Sequence, residues 1–339
     1  MNSENEPDTL VLVGSGAVCL TPEGIAYFDE LANEEKVLTE FIGKSTTWRV
    51  FFHAMTKSKN NVFKNKNNWD LSDDPVEFYY NRFKIAYSKY KSIRQYAVNL
   101  FCSDMPDRNK VADLIDKFSE FRKPLIDEIS KLFNDCSQLI KLNISGSSST
   151  FLPSFVIPSA IFCTTNWDRA LENFFTEKDI PGLSDKNVFH IHGHFREVES
   201  LLLPLDSTYE DLILSNAIVK KNLKHERTRV LADKLFGVLR PWRNIESLAR
   251  SHGKIFEGED KRWKRIVIWG LSLNSEDLEL FSILDSLFSE VIQRSEFMEL
   301  IIINPDARHR DRIARLLGVP AEKRIDIDPT VPCKTTFKL

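Results

Sequence analysis

"AIFCTTNWDRALENFF", Ala160 to Phe175, changes character twice. Ala160 to Cys163 is a short apolar run, as in a strand buried on both faces of a parallel sheet. Thr164, Thr165, Asn166 and Asp168 then set hydrogen-bonding groups in a row. The remainder, from Trp167, carries apolar residues at helical spacing. Strand, polar edge and helix in succession form the repeating unit of a doubly wound sheet.

The same unit recurs to either side. "TLVLVG" (Thr9 to Gly14) is an apolar run entering glycines. "NVFHIHG" (Asn187 to Gly193) reads as the next strand. "RIVIWG" (Arg265 to Gly270) leads toward a helix near Ser275 to Gln293. "ELIIIN" (Glu299 to Asn304) leads into "ARHRDRIARLLG", and "KRIDID" is the last strand. The predicted class is α/β, a doubly wound, Rossmann-like parallel sheet. From about Phe28 to Leu142 the periodicity is helical instead, as in "DPVEFYYNRFKIAYSKYKSIRQYAVNLF" and "NKVADLIDKFSEFRKPLIDEISKLF". The expected organisation is a nucleotide-binding domain from 8–30 and 155–339, with a smaller helical insertion at about 200–260. A separate all-helical insertion domain is expected over 31–150.

Composition narrows the function classes. The chain has 339 residues, 42% hydrophobic and 28% charged, which suffices for a large core. A net charge of -3 offers no global pull toward nucleic acid or membrane. The runs "KSKNNVFKNKNN" and "KKNLKHERTR" read as solvated faces, so nucleic acid is not directly indicated. "MNSENEPD" has no signal-peptide character, and "FLPSFVIPSAIFC" is too short and proline-broken to span a bilayer. The expectation is a cytoplasmic protein without a membrane partner. Five cysteines, none in a CxxC pair, read as free thiols and exclude a zinc site built from paired cysteines.

Ligands of open parallel sheets sit at the carboxyl ends of the strands. Five successive strands here end in small or hydrogen-bonding residues. Gly14, Ser15, Gly16 and Ala17 follow the first, and Thr165, Asn166 and Asp168 the second. The third ends in "HIHGH", the fourth in Gly270 and Ser272, and the fifth in Asn304. Gly14 and Gly16 suit a tight turn that approaches a phosphate, or a plain strand-to-helix turn. "GSG" lacks the third glycine of the GxGxxG fingerprint, so a dehydrogenase site is not supported. Asn304 suits a ribose hydroxyl or a simple turn.

"NVFHIHGHF" places His190, His192 and His194 at alternate positions, on one face if the segment is extended. Three readings stand side by side: metal ligands, solvated or hydrogen-bonded histidines, and a catalytic base with neighbours. The other histidines show no ligand spacing.

The ordered set "GSG", "TTNWD", His192-Gly193, "GLS" and Asn304 resembles the sirtuin family, which consumes NAD on a Rossmann-like sheet. The likeness covers the sheet segments, about half the chain, and neither insertion. It implies His192 as the base and Asn166 as its catalytic companion. It implies NAD contacts from Gly14, Ser15, Gly16, Ala17, Thr165, Asp168, Gly270, Ser272 and Asn304. The departures point to one branch. The CxxC pairs of the family's zinc ribbon are missing, Thr165 replaces its Gln, and "CLTPEG" stands where a Pro-Asp-Phe-Arg segment would be. Such a pattern is similar to that of the zinc-free sirtuin-like domains of bacterial antiphage defence, which hydrolyse NAD.

The resemblance therefore implies an NAD glycohydrolase, with NAD as substrate, no zinc and no other metal. It implies a NAD-depleting effector of abortive infection, held in check by assembly as a homo-oligomer or by a partner such as a defence ATPase. The alternative is a non-catalytic sensor of NAD or ADP-ribose, or a structural subunit of a defence complex. ADP-ribosyl transfer, cyclisation and protein deacylation complete the set.

Overall fold

The computed structural model describes residues 8–32, 50, 54, 123–143, 155–157, 160–197, 201, 263–271 and 297–330. Among them are eight strands: β1 (Thr9–Val13), β2 (Val18–Leu20), β3 (Ile140–Leu142), β4 (Ala160–Thr164), β5 (Val188–His190), β6 (Arg265–Trp269), β7 (Glu299–Ile303) and β8 (Arg324–Ile327). The described helices are α1 (Pro22–Ala32), α2 (residues 123–136), α3 (Ala170–Lys178) and α4 (Ala307–Leu316).

Six strands make one sheet in the order β5-β4-β1-β6-β7-β8, every pairing parallel. Numbered among themselves, they run 3-2-1-4-5-6, the order of a Rossmann-like doubly wound sheet. The strands are apolar because both faces are covered. All five residues of β1 are buried, as are the last four of β6 and of β7. The order reverses between β1 and β6, so their carboxyl ends flank the crevice where this architecture receives a ligand.

The flanking helices follow from local chemistry. Asp306 caps α4, its side chain accepting from the Arg308 amide at 2.8 Å. Ile313 and Ala314 form the buried stripe of α4. Phe175 of α3 meets Phe162 of β4 edge to face, ring centroids 4.8 Å apart. The helical spacing reads from Trp167, but α3 starts at Ala170, because Asp168 turns back to accept the Ala170 amide at 2.9 Å.

Two local expectations change. Ile140–Leu142 falls in the stretch read as helical, yet it forms β3, antiparallel to β2. Three-residue strands are too short to show a period, and the pairing is remote in sequence. The third sheet strand stops at His190, and Gly193 takes a φ of 79° in the turn that follows. The three histidines therefore do not lie on one extended face.

The chain divides into two compact units, Met1–Thr21 with Ser137–His194 and Asn244–Leu339, and Pro22–Cys136 with Phe195–Arg243. The first holds the sheet. Within the second, Phe133 of α2 stacks on Phe195 at 5.6 Å and Ser130 donates to the Phe195 carbonyl at 3.0 Å. Most of 31–150 and of 200–260 lies outside the described residues. No helix among the described residues is long and apolar enough to cross a membrane.

Candidate functional site

The parallel register brings the last residues of the strands level: His190, Thr164, Val13, Trp269 and Ile303. Each next residue adds one more rung to the ladder. The amides of Ile191, Thr165, Gly14, Gly270 and Asn304 donate to the carbonyls of Thr164, Val13, Trp269, Ile303 and Ile327.

Beyond those rungs the loops are stapled in series across the edge. His190 Nδ1 donates to the Asn166 carbonyl at 2.9 Å. Asn166 Nδ2 donates to the Gly14 carbonyl at 3.3 Å. The Gly16 amide donates to the Gly270 carbonyl at 2.9 Å. Asn304 Nδ2 donates to the Leu271 carbonyl at 3.0 Å. Four contacts thus join the carboxyl ends of five neighbouring strands.

The glycines make the central contact possible. Gly270 has a φ of +67°, and a Cβ there would sit 2.2 Å from the Ala17 nitrogen. A Cβ on Gly14 would lie 2.6 Å from the Gly270 carbonyl oxygen, and one on Gly16 2.9 Å from it. The amides of Gly14, Gly16 and Ala17 all have backbone acceptors. The loop continues through a short 3₁₀ turn, Ser15–Ala17, into β2 rather than directly into a helix. Loop-to-loop packing is thus a sufficient account of "GSG". Asn304 is committed too, since its Oδ1 accepts from the Asp306 amide at 2.9 Å.

Polar atoms buried without hydrogen-bond partners concentrate at the β4 and β5 ends, with two more, His309 Nδ1 and Arg310 Nε, on α4 beyond β7. Asn166, Asp168 and Glu172 are 2%, 3% and 5% exposed. Asn166 Oδ1, Asp168 Oδ2, Glu172 Oε2 and His192 Nε2 are sealed from solvent with no hydrogen-bond partner. Each such atom costs about 1–3 kcal/mol unless an ordered water, an ion or a ligand satisfies it.

Their protonation follows from the surroundings. Burial raises the Asp168 carboxyl to about 6, against the pull of the Ala170 amide and His190. Burial lowers His192 to about 4; the residue is half-buried, but its Nε2 is shut away from water. It is a neutral imidazole with a lone pair and weak basicity. His190 behaves oppositely. Burial opposes its charge, yet the bond and charge of Glu172, 2.9 Å from Nε2, hold it above its ordinary value. Burial likewise opposes charge on Glu172, and His190 outweighs it, holding the carboxyl low.

The structure thus brings Gly14, Ser15, Gly16, Ala17, Thr165, Asn166, Gly270 and Asn304 to one edge, with Asp168 and His192 at its β4–β5 end. Ser272 lies outside the described residues. Glu172 escapes the sequence reading. Its one signal is a charge on the apolar stripe of a helix, beside Leu171 and Phe175.

Comparisons of the chain with protein-family models, with curated proteins and with solved structures give no match.

Proposed function

We propose that the chain is a sirtuin-like NAD glycohydrolase that splits NAD and water into nicotinamide, ADP-ribose and a proton. One observation carries the reading. Unsatisfied polar atoms of Asn166, Asp168 and His192 gather at the carboxyl edge of a sheet in dinucleotide-binding strand order. In the proposed reaction the nicotinamide nitrogen keeps the electrons of the glycosidic bond, and water supplies the new C–O bond. The leaving group is neutral once released, so the demand falls on the oxocarbenium-like ribosyl centre and on placing the water. Asn166 Oδ1 and His192 Nε2 would accept hydrogen bonds from that water or from a ribose hydroxyl. Asp168 would face the cationic centre. Regulation by a partner protein or by homo-oligomer assembly, as in antiphage effectors, belongs to this reading.

The weak basicity of His192 favours a second reading, a binding site for NAD or ADP-ribose without turnover. One experiment separates them. The full chain, Asn166→Ala and His192→Ala are each incubated with NAD, with products resolved by chromatography and binding followed by calorimetry. Nicotinamide and ADP-ribose from the wild type, reduced roughly hundredfold or more in both variants, support hydrolysis. Binding without products supports the sensor. A cyclic product moves the reading to cyclase, and neither binding nor products overturns both.

A further inference from the structure

Glu172, His190 and His194 stand apart from the NAD reading. Their ligand atoms, one from each residue, lie within 4.8 Å of one another. Glu172 comes from the first turn of α3 and His190 from the end of β5. The turn at Gly193 folds His194 back, so the two imidazoles meet with centroids 4.7 Å apart. No regular strand or helix would bring these three residues together.

Three features fit a metal centre. Two imidazoles and one carboxylate form a donor set found in zinc sites that keep a fourth position for water. His190 Nδ1 donates to the Asn166 carbonyl at 2.9 Å, which fixes the ring and turns Nε2 toward Glu172. Ligating histidines are usually anchored in this way through their other nitrogen. Glu172 is 5% exposed and its Oε2 has no partner, so the carboxylate has coordinating capacity beyond its contact with His190. Ligand atoms around a tetrahedral zinc lie about 3.3 Å apart for bonds near 2.0 Å. His190 Nε2 and Glu172 Oε1 are already at 2.9 Å, and no separation in the set exceeds 4.8 Å.

We infer that Glu172, His190 and His194 bind a divalent transition-metal ion of the zinc class. The ion ties α3 to the turn after β5 and, through His190, fixes the carbonyl of Asn166. This departs from the metal-free expectation drawn from the sequence. It shares no ligand chemistry with a cysteine zinc ribbon, and it does not depend on NAD turnover.

The test uses the tag-free full chain, stripped with EDTA and titrated with Zn²⁺ by calorimetry, with metal content read by mass spectrometry after gel filtration. A single Zn²⁺ per chain at micromolar affinity or tighter is expected. His194→Ala leaves the His190–Glu172 contact in place, so it should melt like the EDTA-treated wild type yet bind Zn²⁺ more weakly by roughly a hundredfold or more, since a direct ligand is lost and not only its outer support. His194→Cys should recover binding and, with Co²⁺, add a thiolate charge-transfer band absent from the wild type. Failure of the folded wild type to bind Zn²⁺, or equal affinity in wild type and His194→Ala, overturns the inference.

Discussion

Asn166 donates its Nδ2 proton to the carbonyl of Gly14, a residue 152 positions earlier in the chain. The bond leaves Oδ1 as the free end of the amide, buried and without a partner. One side chain thus joins two loops and presents an acceptor. Asn166→Asp removes the donor and sets a carboxylate oxygen against a carbonyl. We expect a loss of about 1–3 kcal/mol in urea unfolding, together with loss of NAD cleavage. Asn166→Ala should lose cleavage as fully. Cleavage at the wild-type rate in a folded Asn166→Ala would sink the catalytic role of this residue.

Two glycines with similar backbone conformations should respond differently to alanine. At Gly270 (φ +67°) an added Cβ would meet the Ala17 nitrogen at 2.2 Å, whereas at Gly318 (φ +63°) it would meet nothing within 4 Å. Gly318→Ala should cost only the left-handed penalty of about 1–2 kcal/mol. Gly270→Ala should cost more than that, because two loops must separate. Equal melting temperatures for the two variants would contradict the packing described.

Asp168 gives a pH-dependent prediction. Its carboxyl titrates near 6 in the folded chain, above its ordinary value of 3.8. The unfolded chain therefore loses this proton first. The resulting penalty is absent below about pH 4, grows between pH 4 and 6, and is complete above 6. Its ceiling is about 3 kcal/mol. Asp168→Asn keeps the oxygen that accepts the Ala170 amide and removes the charge. Its stability relative to wild type should rise between pH 4.5 and 7.5 in urea titrations, while NAD turnover falls. A difference independent of pH would refute the buried-charge account.

Cys163 lies buried in β4, and burial pushes its thiol up to about 12. It should resist iodoacetamide at pH 8 in the folded chain and label readily in denaturant. Cys19, less buried and shifted upward by the same cause, should label first of the two. Peptide mass spectrometry of the alkylated chain reads both.

The sheet was legible because central parallel strands leave no polar alternation to misread. "TLVLV", "RIVIW" and "ELIII" could hardly be anything else, and each is followed by a glycine or an asparagine. The β2–β3 pair was not legible, since Val18–Leu20 and Ile140–Leu142 acquire their strand character only from each other. At the edge, the residues were visible but their tasks were not. Asn304 on its own reads as a turn residue sooner than as a ribose ligand, and its bonds show it making both that turn and a staple to the Leu271 loop. The histidine run was conspicuous, yet alternation implied a shared face that the turn at Gly193 destroys. Glu172 was hidden by distance, since nothing local links it to a histidine 18 residues on.

The stapled edge also sets a schedule for biosynthesis. The Asn166 contact to Gly14 must wait for 152 residues of synthesis, and the Gly16 amide meets its acceptor only when Gly270 has left the ribosome. Until then β1, buried between β4 and β6 in the finished sheet, lacks its β6 neighbour. Nascent chains that stall before Gly270 therefore carry an unassembled edge, and any chemistry performed there begins only late in translation.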